Sequence, residues 1–362
     1  MAGTADRGLE TMRAYTSELP SHLRTGFAAG LEVAGEIPAS ARSVLAVGLG
    51  GSAIAPDFVS HLAEVDADFL LQVVRGPTLP RAGGAHTPIV LVSYSGATAE
   101  TLAAFDAARR RKARIVVVSS GGELTERAVE AGVPLVPVRA GYPPRSALGL
   151  LLGALLGVLD PLFPESNELR VSAASDKAAD SVAEFASADG GPAQLAARIG
   201  RRSPTVYAHG PLRVVARRWA TQIEENAKRL AQFDELPEAC HNALVGWDAL
   251  RRSEAARRAV VLLETEEIHP LVAQGASFLG DRLSARGVRF MRQSFAGTDL
   301  LDVMVRAALF GDFLSLGLAA RSRVDPLLTP VLTDVRRSLR PVRSPAPLPQ
   351  GPIVRKGRRP RP

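Results

Sequence analysis

The length and composition indicate a folded protein with two cores. The chain has 362 residues, 46% of them hydrophobic, which is enough for two domains of ordinary size and excludes a low-complexity protein. Its formal net charge of +7 does not indicate a nucleic-acid-binding protein. Six basic residues and no acidic residue follow Pro341, so the rest of the chain is nearly neutral and no specific nucleic acid partner is expected.

The segment 341–362, PVRSPAPLPQGPIVRKGRRPRP, is rich in proline and arginine and has few apolar side chains. Such a segment cannot bury enough surface to offset the entropy that ordering would cost. We therefore predict a disordered basic tail.

The single cysteine and the first residues favour a cytoplasmic protein. Cys240 has no partner in the sequence, which excludes an intrachain disulfide and a cysteine-based metal cluster. The N-terminal sequence MAGTADRGLETMRAY carries acids where a signal peptide needs a basic start and an apolar stretch, so we expect no export. The apolar run 147–159 is shorter than the roughly 20 residues that span a bilayer, so we predict a buried helix and no membrane contact.

The first half alternates short apolar runs with helix-like segments. After a helical segment at 1–36, β-branched-rich runs occur in SVLAVGLG, DFLLQVVRG, PIVLVSYSG, ARIVVVSSGG and PLVPVRAG. Continuous apolar runs of this kind suit strands that are covered on both faces, which is typical of a parallel, doubly wound sheet. We predict one domain over 37–171, with helices at 53–63, 99–111, 123–131 and 146–159.

The second half repeats this alternation after a change in composition. The stretch 172–192 is small, polar and acidic, and we interpret it as a connecting region. Strand-like runs follow in TVYAHGP, AVVLLETEE and VRFMRQSF, and helices are predicted at 212–233, 270–286, 300–320 and 326–339. The fold class is therefore α/β, with a second doubly wound domain over 193–340 that includes the C-terminal helices.

A glycine-rich turn follows the first predicted strand. Gly48-Leu49-Gly50-Gly51-Ser52-Ala53 lets backbone N–H groups approach an anion at a helix N-terminus, and Ser52 adds a hydroxyl. The spacing also fits the dinucleotide fingerprint G-x-G-x-x-A. That fingerprint needs an acid at the end of the second strand, whereas Asp68 precedes the strand LLQVV. A dinucleotide enzyme therefore remains a weaker alternative to a phosphate site.

Three hydroxyl groups surround a glycine after the third predicted strand. Ser93, Ser95 and Thr98 lie in SYSGATAET, just before a helix, and form a cradle of short donors that suits a phosphate monoester. Each of them alone is more simply explained as a helix cap. Together with Gly51 and Ser52 they predict a phosphate site, because parallel sheets place ligands at the carboxyl ends of adjacent strands.

These two motifs resemble the signature of sugar isomerase (SIS) domains, in which such Ser and Thr residues hold a sugar phosphate. Further along, Pro144-Arg145-Ser146-Ala147-Leu148-Gly149 is similar to the PRA-x-G stretch of the bifunctional phosphoglucose/phosphomannose isomerases. The resemblance covers roughly residues 5–340. It implies two SIS-type domains, a sugar phosphate ligand and a place for Arg145 near the reacting carbons, where it would stabilise enediolate charge.

Aldose–ketose isomerisation needs a base that moves a proton between C2 and C1 and a group that opens the sugar ring. A carboxylate and a histidine can do both near neutral pH. The chain matches the E-N-x-K and P-x-x-x-H-N elements of the same family, which implies Glu225 as the base and His241 as the ring opener. In that family the histidine comes from the partner subunit of a homodimer. Without the family, Glu225 would be a solvated acid paired with Lys228.

The chain departs from the family pattern at two positions near the expected site. Arg336 stands where the family has a lysine on the final helix, and arginine can hold an oxygen but cannot pass a proton. Glu224 replaces an asparagine before the base, and a second carboxylate raises the pKa of a neighbour. The alternative function is therefore a catalytically weakened protein that binds sugar phosphate as a sensor or partner protein.

The leading hypothesis remains an isomerase that converts glucose 6-phosphate, mannose 6-phosphate or both into fructose 6-phosphate. The enediolate can be held by arginine and backbone donors, so we expect neither a metal nor a cofactor.

Overall fold

The computed structural model describes residues 2–339, which contain the two predicted α/β halves. The predicted tail 341–362 lies outside the described residues. The elements of the first half agree closely with the predicted runs, and one element of the second half differs clearly.

In the described part of the first half, five strands form one sheet in the order β2-β1-β3-β4-β5, and all neighbouring pairs are parallel. The strands are β1 (Ser43–Val47), β2 (Leu70–Val74), β3 (Ile89–Ser93), β4 (Ile115–Ser119) and β5 (Leu135–Pro137). Every residue of β3 and β4 is buried, because helices cover both faces of the sheet centre.

The helices of this half are α1 (Ala2–Ser17), α2 (Leu19–Leu31), α3 (Gly51–Asp66), α4 (Ala99–Arg110), α5 (Gly122–Glu130), α6 (Leu148–Leu159) and α7 (Glu168–Ala186). All residues of α6 are buried, in agreement with the buried helix predicted for 147–159. It packs closely against α2, where a Cβ on Gly26 would lie 2.2 Å from the Leu150 carbonyl oxygen. The small side chains thus let the two helix backbones approach each other.

In the described part of the second half, four strands form a second all-parallel sheet in the order β7-β6-β8-β9. They are β6 (Ser203–His209), β7 (Gln232–Leu236), β8 (Arg258–Thr265) and β9 (Arg289–Phe295). The helices are α8 (Gly191–Ile199), α9 (Arg213–Ala227), α10 (Ala243–Asp248), α11 (Arg252–Ala255), α12 (Pro270–Arg286), α13 (Leu300–Ser322) and α14 (Pro330–Ser338). Two parallel sheets flanked by helices confirm the predicted fold class.

The helix predicted over 212–233 is wrong in its second part. Helix α9 ends at Ala227, where Lys228 adopts a left-handed conformation with φ +54°, and the chain then forms strand β7. The sequence of β7, QFDEL, is not an apolar run, because this strand lies at the sheet edge and is only partly buried. An edge strand does not need the apolar pattern that marks a central strand.

Helix α13 forms the centre of the second half. In the part of the chain that the structure describes, it is the one helix long and apolar enough to cross a membrane by length and composition. However, 83% of its most apolar stretch is buried, because it packs against α7, α8 and α9. Helix α7, which covers most of the predicted connecting region 172–192, also packs against α2 of the first half.

Candidate functional site

A cavity of about 470 Å³ lies at the carboxyl edge of the first sheet. It is bounded by the turns after β1 and β3, by the 3₁₀ turn Pro144–Ser146, by the last turn of α9 and by α14. Most of the site residues predicted from the sequence line this one cavity: Gly51, Ser52, Ser95, Thr98, Arg145, Glu225 and Arg336. Segments far apart in the sequence therefore meet at the edge where parallel sheets bind ligands.

The first turn supplies Ser52 at the start of α3. The Ser52 Oγ accepts a hydrogen bond of 3.0 Å from the Tyr94 backbone N–H, which links the turn after β1 to the turn after β3. A hydroxyl that accepts this bond retains its own proton for donation. Because α3 begins at Gly51, its N-terminal N–H groups and positive dipole end also lie at this cavity.

The second turn supplies Ser95 and Thr98 at the start of α4. Between them, Gly96 has φ +61°, and a Cβ at this position would lie 1.7 Å from the Gly121 carbonyl oxygen. Glycine is therefore required both for the left-handed backbone and for the close contact with the turn after β4. The tight turn holds the two hydroxyl groups at the cavity wall.

Ser93 lies one layer behind the cavity instead of lining it. Its side chain is 1% exposed, and its Oγ donates a hydrogen bond of 3.1 Å to the Thr98 Oγ1. As the last residue of β3, it points into the protein between the strand and the following turn. Ser93 therefore supports Thr98, and the structure does not place it in direct reach of a ligand.

Arg145 is almost completely buried, with 4% exposure, and most of its donors are engaged. Its Nε donates to the Asn226 Oδ1 at 2.8 Å, and its Nη2 donates to the Pro326 carbonyl oxygen at 2.7 Å. The Nη1 lies 3.4 Å from the Glu225 Oε2. Burial lowers the pKa of Arg145, which the Glu225 carboxylate opposes, but an arginine remains charged at any accessible pH.

Glu225 extends from the last turn of α9 into the cavity, and its side chain is 29% exposed. The surface pair with Lys228 is not formed. The Lys228 Nζ donates instead to the backbone carbonyl of Glu225, so the carboxylate is free to face Arg145. The left-handed turn at Lys228 ends the helix and makes this contact possible.

Glu224 lies on a different side of α9. It is exposed and lines a separate, larger cavity of about 570 Å³ beside β7, together with Trp247 and Arg258. Successive helix residues are separated by about 100° around the axis, which directs the two carboxylates into different cavities. That second cavity contains none of the hydroxyl-bearing turns.

Arg336 lies on α14, which covers the open side of the cavity. Leu332 and Val335 of this helix face the same cavity, and none of its described residues is buried. The exposed guanidinium is thus at the rim, whereas Arg145 is at the floor.

His241 does not line the cavity within one copy of the chain. It is exposed and follows the 3₁₀ turn Glu238–Cys240, beyond edge strand β7 of the second sheet. The neighbouring Cys240 is partly buried against α12, where its Sγ lies 3.6 Å from the Gly275 carbonyl oxygen.

Sequence reasoning missed the buried residues behind Arg145: Arg218, Gln222, Asn226, Asp312 and Ser315. Three of them recur every four residues on α9, at 218, 222 and 226. A polar stripe on the buried face of a helix was the signal that could have indicated them.

The parallel α/β fold of this chain is shared with several solved structures. The structure is similar to the C-terminal domain of glucosamine-fructose-6-phosphate aminotransferase from Francisella tularensis, with a TM-score of 0.66, 14% identity and coverage of 86% of this chain and 96% of that one. It is also similar to glucosamine-6-phosphate deaminase from Thermotoga maritima, with a TM-score of 0.64, 15% identity and coverage of 87% and 96%. These likenesses confirm the α/β fold.

Residues 189–339 match the family model of the bacterial phospho-glucose isomerase C-terminal SIS domain. Bifunctional phosphoglucose/phosphomannose isomerases from Caldicellulosiruptor bescii and Aquifex aeolicus are each 29% identical, over 86% and 83% of this chain and 94% and 91% of their own length. A D-glucosamine-6-phosphate 4-epimerase from Sulfolobus acidocaldarius is 32% identical over 57% of this chain and 64% of its own. The resemblance drawn from the motifs is thereby confirmed: the chain is similar over most of its length to bifunctional phosphoglucose/phosphomannose isomerases.

Proposed function

We propose that this protein is an aldose–ketose isomerase that converts glucose 6-phosphate and mannose 6-phosphate into fructose 6-phosphate. The observation that carries this proposal is a single cavity that joins Ser52, Ser95 and Thr98 to the carboxylate of Glu225. A phosphate at one end and a base at the other are what a sugar 6-phosphate isomerase requires. The bifunctional phosphoglucose/phosphomannose isomerases named above support the same reaction.

The phosphate group binds at the turns after β1 and β3. Hydroxyl groups of Ser52, Ser95 and Thr98 donate to its oxygens, and the N-termini of α3 and α4 favour its negative charge. With the phosphate held there, the sugar chain extends across the cavity toward Glu225 and Arg145.

Glu225 carries the proton between the two carbons. Its carboxylate removes the proton from C2 of the open-chain aldose, which gives an enediolate, and then returns a proton to C1, while the hydroxyl proton of O2 passes to O1. Glucose and mannose differ in configuration only at C2. Because C2 is planar in the enediolate, both aldoses share one intermediate and one ketose product.

Arg145 stabilises the negative charge that develops in the enediolate. Its Nε and Nη2 are held by protein oxygens, and its Nη1 lies beside Glu225, so the guanidinium is preorganised at the reacting end of the cavity. Arg336 at the rim adds positive charge near the same oxygens without passing protons.

His241 opens the sugar ring from a second copy of the chain in a homodimer. It is exposed in one copy, and exposed apolar side chains are found nearby on α10 and α12, which pack against each other: Val245, Leu271 and Phe278 are 75%, 70% and 62% exposed. Apolar residues grouped in this way favour a protein contact surface. We place the dimer in the cytoplasm, which suits a sugar phosphate substrate.

The purified protein, supplied with glucose 6-phosphate or mannose 6-phosphate, tests this function when fructose 6-phosphate formation is followed by a coupled assay. We expect turnover of both aldoses with kcat in the range of about 1 to 10³ s⁻¹. Thermal stabilisation by fructose 6-phosphate without turnover of either aldose would contradict the isomerase and support the sensor alternative.

A further inference from the structure

We propose that the buried Arg218–Asp312 ion pair is a positioning device for Arg145, and through it for Glu225. The inference rests on the proposed function and extends it to residues that do not line the cavity. Arg218 lies on α9 and Asp312 on α13, and both side chains are almost inaccessible, with 2% and 3% exposure.

The ion pair is bidentate and has further partners. The Arg218 Nε and Nη2 donate to the two Asp312 carboxylate oxygens at 2.9 and 2.6 Å. The Gln222 Nε2 donates to the Asp312 Oδ1 at 2.7 Å. One carboxylate on α13 thus fixes two side chains that are one turn apart on α9.

The same two side chains reach the backbone of Arg145. The Arg218 Nη2 donates to the Arg145 carbonyl oxygen at 3.0 Å, and the Gln222 Nε2 lies 3.5 Å from the same oxygen. One turn further along α9, Asn226 holds the Arg145 guanidinium at 2.8 Å, and its Nδ2 donates to the Ser315 Oγ at 2.9 Å. Both ends of Arg145 are therefore anchored to one face of α9, which is itself fixed to α13.

This arrangement sets the distance between Arg145 and Glu225. Glu225 lies on α9 between Gln222 and Asn226, and Arg145 belongs to the first half of the chain. The contacts from α9 to Arg145 thus help to fix the position of Arg145 relative to Glu225. A loss of this register moves the charge away from the reacting carbons, and a misplacement of 1 Å costs catalysis about 100-fold.

A buried ion pair contributes little to stability compared with apolar residues of similar size. The Arg218–Asp312 pair lies directly behind the site and is bonded to Arg145. Its role is therefore better explained by the positioning of Arg145 than by a contribution to the stability of the fold. This difference makes the two roles separable by experiment.

The test is the double variant Arg218→Met/Asp312→Leu, which replaces the pair with apolar side chains and removes the donor to the Arg145 carbonyl. We expect a melting temperature within a few degrees of the wild type, a kcat lowered about 10- to 100-fold and a KM within about threefold. The matched control is Arg306→Met/Asp302→Leu, which removes an ion pair of 2.6 Å elsewhere on α13 and should leave kcat unchanged.

An unchanged kcat in the first double variant, or an equal loss in the control, would overturn the proposal. If the double variant does not fold, Gln222→Met removes only one donor, and a kcat lowered with an unchanged KM supports the same role. Absence of turnover in the wild type would contradict the proposed function alone. Crystal structures then decide the inference: an Arg145 guanidinium displaced from Asn226 in the variant supports it, and an undisplaced one overturns it.

Discussion

Replacement of Glu225 by glutamine is expected to lower kcat for both aldose 6-phosphates by about 10²- to 10⁴-fold, the usual contribution of a general base. Glutamine has almost the same shape as glutamate but cannot accept the C2 proton. The hydroxyl groups that we propose to bind phosphate are unchanged in this variant, so the affinity for fructose 6-phosphate should stay within about threefold.

Glu224→Gln is the matched control for this experiment. It makes the same chemical change one residue earlier on the same helix, but its side chain lines the cavity beside β7. We expect wild-type kcat and KM in this variant. A Glu225→Gln protein with wild-type turnover, or a Glu224→Gln protein with an equal loss, would contradict the assignment of the base.

His241→Ala should also lower kcat by about 10²-fold or more, because an essential acid–base group is lost. The sharper experiment combines it with Glu225→Gln in one dimer. If His241 acts across the interface, a heterodimer of the two variants contains one site with both groups intact and one site with neither. Heterodimers purified through two different tags should therefore regain about half of the wild-type activity of a dimer, as its two-fold symmetry requires.

A different location of His241 gives a different result. If the histidine acted on the cavity of its own chain, both sites of the heterodimer would carry one defect and no activity would return. A dimer of two His241→Ala chains serves as the control for spontaneous ring opening. Recovery of activity would thus support both the homodimer and the role of the histidine.

The turns after β1 and β3 could be predicted from the sequence. Their signals are local: an apolar strand, then glycines and hydroxyl groups, then a helix, as in the turn that contains Ser52 and the turn that contains Thr98. The position of the turns on neighbouring strands β1 and β3 follows from the rules of parallel sheets. The sequence therefore predicts that these two turns lie side by side at one edge of the sheet.

Other features depend on contacts that a local pattern does not contain. The sequence of β7 does not predict a strand, because this edge strand is polar. The motif SYSGATAET predicts a ligand contact for Ser93, whereas its Oγ donates to the Thr98 Oγ1. The sequence near Lys228 suggested a surface pair with Glu225, but the chain turns there and brings the lysine to the backbone. In each case, contacts in the folded chain determine the local structure, and the local sequence alone does not.

The residues that hold Arg145 in place are the clearest example of contacts that a local sequence pattern does not contain. The hydrogen-bonding partners of Arg145 come from α9 and from the carbonyl groups before α14, at separations of 73 to 182 residues along the chain. The regular spacing of polar residues on α9 was visible in the sequence. The reason for this spacing lies in the tertiary structure, because α13 packs against this face of α9.

We propose that phosphate and reacting carbons occupy one cavity between the hydroxyl-bearing turns and Glu225. The decisive measurement is a crystal structure of the Glu225→Gln variant with fructose 6-phosphate. We expect the phosphate within hydrogen-bonding distance of Ser95 and Thr98, and C1 and C2 facing residue 225 near Arg145. A ligand bound in the cavity beside β7, or one with its phosphate at the α14 rim, would contradict this account.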